Sequence, residues 1–214
     1  SWVWGVPTTR DVRLLRGEGW AVGTKFKPGA FTALTAIEAS SITDGRVSLK
    51  AAFGDDLNQC EFDAAPGALY AVVAEIEARL APRAHVDDPY AALVADVIQS
   101  MRHVGPDARV EHLAAMHHVA PRTLQRLFRR YVGVGPKWVL KRLRIHEAAD
   151  QLTAASPPRW TELALDLGYY DHAHFIRDFR LVVGRSPAEY AAEAARARED
   201  QNPASGCESA SRSA

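Results

Sequence analysis

One sequence pattern occurs twice in this chain and constrains its fold more than any other feature. The first copy begins at Glu111 and reads EHLAAMHHVAPRTLQRLFRRYVGVGP, and the second begins at Thr161 and reads TELALDLGYYDHAHFIRDFRLVVGRSP. The matched positions are Leu113 and Leu163, Ala114 and Ala164, His118 and Gly168, Leu124 and Phe175, Arg126 and Arg177, Phe128 and Phe179, Gly133 and Gly184, and Pro136 and Pro187. Each copy predicts a helix, a tight turn and a second helix, the layout of a helix-turn-helix whose second helix enters a DNA major groove.

The clustering of charge, rather than its total, favours a nucleic-acid partner. The 214 residues have a formal net charge of +0, but residues 1–101 carry 9 Lys and Arg against 13 Asp and Glu, and residues 102–195 carry 14 against 10. No acidic residue lies between Glu111 and Glu147, a stretch that contains Arg122, Arg126, Arg129, Arg130, Lys137, Lys141, Arg142 and Arg144. Clustered Arg without acids is typical of a phosphate-binding surface, although a solvated helix surface gives the same pattern.

The segment between the two copies predicts one long helix, from Pro136 to Thr153. It begins with Pro, has no internal Gly or Pro, and ends before Ala155-Ser156-Pro157-Pro158. Roughly 18 residues span about 27 Å at ~1.5 Å per residue, which approaches the ~34 Å between successive major grooves on one face of DNA. Such a helix can hold two recognition helices near that spacing, so a monomer could bind an asymmetric site of roughly 17–20 base pairs.

The chain is predicted to have four regions. Residues 1–67 are expected to be a β-rich or irregular segment with several turn signals. Residues 68–104 are expected to form a helical connector whose second helix is capped near Asp88. Residues 105–195 hold both helix-turn-helix units, and residues 196–214 are expected to be a disordered tail. The chain begins at Ser1 with no Met, and an N-terminal portion is therefore expected to be missing.

The second helix of the first copy, Pro121 to Tyr131, has two faces. Its apolar face consists of Leu124, Leu127, Phe128 and Tyr131, and another face carries Arg122, Gln125, Arg126 and Arg129. Arg pairs with guanine and Gln with adenine in the major groove. The residues nearest the N-terminus, Arg122, Gln125 and Arg126, are predicted to read bases, and Arg129 and Arg130 to bind phosphate. Thr123 either touches a thymine methyl group or caps the helix, and Arg126 could instead pair with a carboxylate of the domain.

The second helix of the second copy is less basic. Asp171 is its predicted N-cap, and its predicted core face consists of Phe175, Ile176, Phe179 and Val183. Its predicted surface residues are His172, Ala173, His174, Arg177, Asp178 and Arg180, and the candidate DNA contacts among them are His172, Ala173, His174 and Arg177. Because Asp171 and Asp178 oppose phosphate, this unit is expected to bind DNA more weakly. Rings at i and i+2 on a helix point apart, so His172 and His174 predict no metal site.

Composition argues against several other function classes. Two cysteines, Cys60 and Cys207, are too few and too distant in sequence to predict a disulfide framework or a metal site. No apolar run approaches the ~20 residues of a membrane span, and no signal peptide is visible, so a cytoplasmic location is expected. No catalytic motif is found. We therefore predict that the chain is not an enzyme and holds no cofactor or metal.

These residues resemble the AraC/XylS family of transcription regulators over about residues 107–191. The quoted motifs are Leu113-Ala114, Arg122-Thr123-Leu124-Gln125-Arg126-Leu127-Phe128, Gly133, Pro136, Arg142-Leu143, Ala148, Leu163-Ala164, Gly168-Tyr169, His174-Phe175, Arg177, Phe179, Gly184, Ser186-Pro187 and Tyr190. The resemblance implies a mainly α fold, in which a C-terminal domain of seven helices contains two helix-turn-helix units joined by a long helix. A small partial β/α segment precedes that domain.

The resemblance also implies partners, namely double-stranded DNA and RNA polymerase. It leaves an effector unknown and a dimer possible.

Two residues depart from the family pattern: His118 replaces the usual Gly of the first turn, and Ala120 replaces the usual capping Ser. Each departure costs about 1 kcal/mol. Residues 1–67 resemble part of a sensor domain but are too short for a complete barrel, so they predict no ligand site. The alternative function is a helical module that docks another protein without reading DNA.

Overall fold

The computed structural model describes residues 1–12, 14, 16, 22–55, 68–83, 87–105, 108–154 and 159–201. Within these ranges the chain forms ten α-helices and one sheet of two short strands, which confirms the predicted mainly α fold class. The predictions made for Cys60, Ala155 to Pro158 and the tail beyond Gln201 lie outside the described residues. No helix in the described ranges is both long enough and apolar enough to cross a membrane.

The N-terminal segment is more helical than its sequence predicts. Its elements are β1 (Trp2–Trp4), α1 (Ala30–Thr35), a 3-10 helix (Ala39–Ile42), β2 (Arg46–Ser48) and α2 (Leu49–Phe53). The strands are antiparallel, with Val3 opposite Val47. These short strands and helices agree with the expected small β/α segment, although the described residues are less β-rich than the sequence predicts. Part of the reason is local capping: Ser48 ends β2 and its side chain accepts a hydrogen bond from the backbone of Ala51, which starts α2 at once.

Two helices follow within the region predicted to be a helical connector. These are α3 (Ala68–Leu80) and α4 (Pro89–Met101). Asp88 caps α4, because its Oδ1 accepts hydrogen bonds from the backbone N–H groups of Tyr90 at 3.0 Å and Ala91 at 3.1 Å. Pro89 occupies the first turn, where a missing N–H costs nothing. The start of α4 is thus where the sequence predicts it.

The first repeat forms α5 (Val110–Met116) and α6 (Pro121–Val132), and α7 (Pro136–Leu152) follows. The predicted apolar face of α6 is buried, since Leu124 and Phe128 are 0% exposed and Leu127 and Tyr131 are 5% exposed. The long helix predicted between the repeats is present as one continuous helix of 17 residues. It ends at Leu152, one residue before the predicted end.

The second repeat forms α8 (Trp160–Asp166) and α9 (His172–Val183), followed by α10 (Pro187–Gln201). The buried core around them consists of Ile145, Ala148, Ala149, Leu152, Leu163, Ala164, Leu167, Tyr169, Phe175 and Phe179. The predicted disordered tail is wrong for residues 196–201, because α10 continues to Gln201. Ala, Glu and Arg dominate this stretch, and all three are favourable in helix interiors.

The chain divides into two compact units, Ser1–Leu140 and Lys141–Ala214. The division lies inside α7 and differs from the predicted boundary at residue 105. In the first unit, α6 packs against α1, α4 and the 3-10 helix Ala39–Ile42. The N-terminal segment and the first helix-turn-helix therefore belong to one compact unit, a long-range relationship that local sequence patterns do not reveal.

Candidate nucleic-acid interface

The turns of the two repeats have the same backbone geometry with different residues. His118 adopts φ 55 and Gly168 adopts φ 79, both in the left-handed region. In each turn the following backbone N–H, that of Val119 or Tyr169, donates to the carbonyl oxygen five residues earlier at 2.9 Å. The predicted equivalence of the two positions is confirmed, as is the left-handed backbone expected at His118. Such a conformation is strained for a residue with a Cβ atom.

The first turn is also held from α4. The Nε2 atom of His117 lies 2.9 Å from the hydroxyl oxygen of Ser100. The next helix begins without a side-chain cap, because Ala120 at the N-cap position makes no such hydrogen bond. Pro121 fills the first position of α6 and has no N–H to satisfy. The second helix of the first helix-turn-helix thus has no side-chain cap, as Ala120 predicts.

One face of α6 is exposed and basic. Arg122, Gln125, Arg126 and Arg129 are exposed, whereas Thr123 is partly buried. In an α-helix these four exposed positions lie on one stripe, because residues three and four apart share a face. Among the residues that the structure describes, Arg126 forms no ion pair with a carboxylate, which argues against the alternative that it pairs inside the domain. The stripe is therefore available to an external anion.

Arg130 lies at the edge of this stripe and has neighbours of its own. Its guanidinium carbon is 5.6 Å from the centre of the Tyr131 ring. The Tyr131 hydroxyl donates a hydrogen bond of 2.8 Å to Oδ2 of Asp88. Burial alone would raise the pKa of Asp88, but this bond, two backbone N–H donors and the charge of Arg130 together lower it below its ordinary value. Burial and the same carboxylate raise the pKa of the Tyr131 hydroxyl.

The C-terminal end of α6 is bonded to the N-terminal segment. Gly133 ends the helix at φ 93, and its carbonyl oxygen accepts a hydrogen bond of 2.9 Å from the Thr43 hydroxyl. The Thr32 hydroxyl donates to the carbonyl oxygen of Arg130 at 3.1 Å. A Cβ atom on Gly133 would lie 2.5 Å from Oγ1 of Thr43 and 3.0 Å from the carbonyl oxygen of Ala39. The glycine is needed for both its backbone angle and its close contacts.

The second unit begins its recognition helix with a cap. Oδ1 of Asp171 accepts a hydrogen bond of 2.9 Å from the backbone N–H of Ala173, which confirms the predicted N-cap. Of the predicted contact residues, Ala173, His174 and Arg177 are exposed and His172 is partly buried. Arg180 and Leu181 are exposed on the same helix, and Tyr170 in the turn is fully exposed at 104%. The exposed face of α9 therefore mixes two arginines with apolar and histidine side chains.

Asp178 is not a surface residue, which corrects the expectation that it opposes phosphate. It is 2% exposed. Its Oδ1 lies 2.6 Å from Nζ of Lys141, and its Oδ2 lies 3.0 Å from Nε2 of His174. Residues four apart share a helix face, so burying the carboxylate leaves its His174 neighbour at the border of the exposed face. The charge of Asp178 alone predicts a surface position, whereas its neighbours Lys141 and His174 allow the carboxylate to be buried.

Tyr169 completes this group, here termed the Asp178 cluster: Lys141, Tyr169, His174 and Asp178. The rings of Tyr169 and His174 meet edge to face with centroids 5.6 Å apart. Burial, and then the charge and hydrogen bonding of Asp178, raise the pKa of the Tyr169 hydroxyl far above its ordinary value. The i, i+4 spacing of His174 and Asp178 was the available sequence signal for this cluster. Lys141 carried no such signal, since it lies 37 residues before Asp178.

The acid-free basic stretch does not present every cation to solvent. Lys141 is engaged by Asp178, and Arg142 is partly buried. Burial lowers the pKa of Arg142, and its Nε donates to Nε2 of His146 at 3.2 Å. Arg122, Arg126, Arg129 and Lys137 remain exposed. The electrostatic surface is therefore narrower than the sequence implies and is concentrated on α6.

No group of His, Cys, Asp or Glu suited to holding a metal ion occurs among the described residues. One surface depression of about 670 Å³ lies in the first unit, with His103, Arg109, His112 and Met116 among its lining residues. It is open to solvent. The exposed faces of α6 and α9 remain the principal candidate site.

Comparison with known proteins identifies the same part of the chain. Residues 113–193 match a family described as a helix-turn-helix domain. An uncharacterized HTH-type transcriptional regulator from Haemophilus influenzae is 30% identical over 84 residues, which is 39% of this chain and 28% of the relative. The chain thus matches little more than a quarter of that relative's length.

Two solved structures are also similar. A transcriptional regulator from Chromobacterium violaceum, described as an AraC-type DNA-binding domain-containing protein, has a TM-score of 0.46 and 24% identity. The alignment covers 49% of this chain and 94% of that one. The C-terminal domain of AraT, a response regulator from Geobacillus stearothermophilus, has a TM-score of 0.43 and 24% identity, with coverages of 47% and 84%.

Proposed function

We propose, on the premise that residues 113–193 belong to the AraC-type helix-turn-helix family, that this protein is a sequence-specific, DNA-binding transcription regulator. It inserts α6 and α9 into successive major grooves of double-stranded DNA. The observation that carries the proposal is the stripe of Arg122, Gln125, Arg126 and Arg129, which is exposed and lacks acidic neighbours in sequence. Arg and Gln are the side chains that read purines most directly in the major groove.

The two ends of α6 take different roles in this mechanism. Arg122, Gln125 and Arg126 lie in the first half of the helix and read base edges, as recognition helices do with their N-terminal residues. Thr123 is partly buried and contributes at most a contact through its methyl group. Arg129 and Arg130 bind phosphate and fix the register of the helix. Of these two, Arg129 is the stronger candidate, because Arg130 also faces Asp88 and Tyr131.

The second unit supplies fewer charges and contributes less affinity. Ala173 and Arg177 are exposed and are the proposed base contacts of this unit, and His174 is also exposed. His172, being partly buried, is the weakest of the predicted contacts. Burial of Asp178 removes one of the two negative charges expected to repel phosphate. The remaining one, Asp171, is bound to the helix N-terminus.

The proposed protein partner is RNA polymerase, and the proposed location is the cytoplasm. The helix-turn-helix family is one of regulators rather than of enzymes.

The alternative function is a helical docking module that binds another protein. It predicts that loss of Arg122 or Arg126 leaves function intact. A stripe of arginines aligned along one helix face favours DNA, because protein-docking helices ordinarily present apolar anchors at those positions.

The test is repeated selection of bound duplexes from a random pool, followed by fluorescence anisotropy on the selected sequence. The wild type is expected to enrich one motif about two helical turns long. Arg126→Ala is expected to lose about 5- to 150-fold in affinity and to relax the preference at one position, because a bidentate pair contributes about 1–3 kcal/mol. Lys50→Ala is the matched control, since it also removes one exposed positive charge but lies on α2.

Arg129→Ala separates phosphate binding from base reading. It is expected to weaken all duplexes uniformly and to lower the slope of log affinity against log salt by about 1. Binding that is sensitive to salt but enriches no motif would overturn sequence specificity. If the wild type shows no binding at low salt, the DNA function is wrong and the docking module replaces it.

A further inference from the structure

The turn of the second helix-turn-helix is one residue longer than that of the first. In each turn the left-handed residue, His118 or Gly168, is followed by a residue whose backbone N–H bonds back to the preceding helix. In the first turn the N-cap Ala120 comes next. In the second turn Tyr170 comes next, and the N-cap Asp171 follows it. Tyr170 is therefore an additional residue with no counterpart in the first turn.

A different tyrosine makes the packing contact that is usual for an apolar residue before a helix. Such a residue often packs against the fourth residue of the helix, which is Phe175 in α9. The ring of Tyr169 meets the ring of Phe175 edge to face, with centroids 5.2 Å apart. Tyr169 is 9% exposed, whereas Tyr170 is 104% exposed. The packing role is thus filled by Tyr169, and the side chain of Tyr170 lies in solvent.

Tyr170 stands directly before the end of α9 that is expected to reach bases, because recognition helices contact base edges with their N-terminal residues. At the same end of α6 the exposed residues are Arg122 and Gln125. At the start of α9 the exposed residues are Tyr170 and Ala173, together with His174. An aromatic ring and an Ala methyl group cannot form the bidentate hydrogen bonds that Arg and Gln form. The start of α9 is therefore suited to an apolar group on the DNA.

We infer that Tyr170 reads the methyl group of a thymine in the major groove that α9 enters. Thymine is the base that displays an apolar group there, its C5-methyl. Covering this methyl group with the Tyr170 ring removes apolar surface of both from water, which is favourable. The inference rests on the proposed DNA-binding function and adds to it a specificity-determining residue and the base that it selects. The first half-site is then read mainly through hydrogen bonds to purines, and the second through a thymine methyl group.

The first experiment removes the methyl group from the DNA and leaves the protein unchanged. Each thymine of the selected motif is replaced in turn by deoxyuridine, which keeps the hydrogen-bonding groups. The affinity of the wild type, measured by fluorescence anisotropy, should fall about fourfold at one position, the effect of one buried methyl group. A motif in which no thymine methyl contributes would overturn the inference and leave the regulator function standing. A wild type that selects no motif would overturn both.

The second experiment assigns the methyl group to Tyr170. Tyr170→Ala should lower the affinity for the thymine duplex about fourfold. The deoxyuridine change should then have no further effect, because both changes remove the same contact. Additive losses would assign the methyl group to another residue and overturn the inference. Thermal unfolding checks that the variant folds like the wild type, as expected for a fully exposed residue. Tyr70→Ala is the matched control, since Tyr70 is a tyrosine of α3 that is 84% exposed, and it should change neither affinity nor motif.

The third experiment separates the ring of Tyr170 from its hydroxyl group. A Tyr hydroxyl can also bond to a DNA phosphate, which positions a protein without reading sequence. Tyr170→Phe keeps the ring and should retain both the affinity and the thymine preference. A loss as large as that of Tyr170→Ala would assign the effect to the hydroxyl and overturn the inference. Tyr170→Ala should also leave the slope of log affinity against log salt unchanged, because an apolar contact releases no counterions. A slope lowered as in Arg129→Ala would contradict the apolar contact.

Discussion

The turns of the two helix-turn-helix units have the same backbone geometry. The two units differ in the polar contacts that hold their recognition helices. In the first, the turn uses His118 where the second has Gly168, and Ala120 leaves uncapped a helix start that Asp171 caps in the second. The first nevertheless carries more exposed charge along its recognition helix. The helix-turn-helix that lacks a turn glycine and a helix cap is thus the one whose recognition helix has the more basic exposed face.

Long-range contacts account for this difference. In the first helix-turn-helix, α6 is held by residues outside the motif. These are Thr32 and Thr43 of the N-terminal segment and Asp88 at the start of α4. The described contacts that hold α9 come from within its own unit, through the Asp178 cluster and the cap at Asp171. A helix supported by distant residues needs fewer favourable residues of its own, which explains why the first repeat tolerates a strained turn.

The largest expected effect comes from replacing the two matched phenylalanines with alanine. Phe128 and Phe179 are each 0% exposed, so Phe128→Ala and Phe179→Ala should each lower the free energy of unfolding by about 3–5 kcal/mol. Hydrogen exchange followed by mass spectrometry should separate them. Phe128→Ala is expected to speed exchange in α1 and α4 as well as α6, because these helices pack against one another. Phe179→Ala should act on α8 and α9.

A different exchange pattern would contradict the contrast. If Phe179→Ala accelerates α1 as much as Phe128→Ala does, the two compact units unfold as one. If Phe128→Ala leaves α1 protected, the N-terminal segment does not depend on the first recognition helix. Val182→Ala serves as a control of smaller volume on α9, since that residue is only partly buried.

The glycines that end the two recognition helices provide the next test. Gly133→Ala and Gly184→Ala both place a Cβ atom at a positive φ, which costs roughly 1–2 kcal/mol. Only Gly133 is known to add a close approach, to Thr43 and Ala39, whereas Gly184 is exposed. Urea denaturation should therefore show the larger loss for Gly133→Ala. Thr43→Ala removes Oγ1, the atom that the new Cβ atom would meet at 2.5 Å, so it is expected to cost less in the Gly133→Ala background than in the wild type. Equal losses for the two single variants would mean that Thr43 and Ala39 yield without cost.

The caps should respond in opposite directions. Ala120→Ser adds a hydroxyl where α6 has no cap and should stabilise the first unit by about 1 kcal/mol. Asp171→Ala removes a cap from α9 and should destabilise the second unit by a similar amount. Thermal unfolding of each variant against the wild type measures both. A neutral Ala120→Ser would show that the long-range contacts of α6 already fix its first turn.

Much of this fold could be predicted from periodicity alone. The two faces of α6, the cap of α4 and the extent of α7 follow from residues within a few positions of one another. The partners of α6 could not be predicted, since Thr32 lies 98 residues from Arg130 and its hydroxyl meets a backbone oxygen, which no side-chain pattern encodes. Asp178 was misassigned for the same reason, because its principal cation lies on another helix.

The smallest effect is expected from Tyr131→Phe, which removes one hydrogen bond to Asp88. Because Asp88 is only partly buried, the loss at neutral pH should be about 0.5–1.5 kcal/mol. The pKa of Asp88 is below its ordinary value of 3.8, so the stability that it contributes is complete above that value and is lost as the pH falls through the folded-state pKa. The difference between wild type and variant should therefore shrink under acid. Urea midpoints at pH 7 and near pH 3 measure it, with Tyr90→Phe as the control on an exposed neighbour. A difference that stays constant with pH would assign the effect of Tyr131 to packing rather than to its bond with the carboxylate.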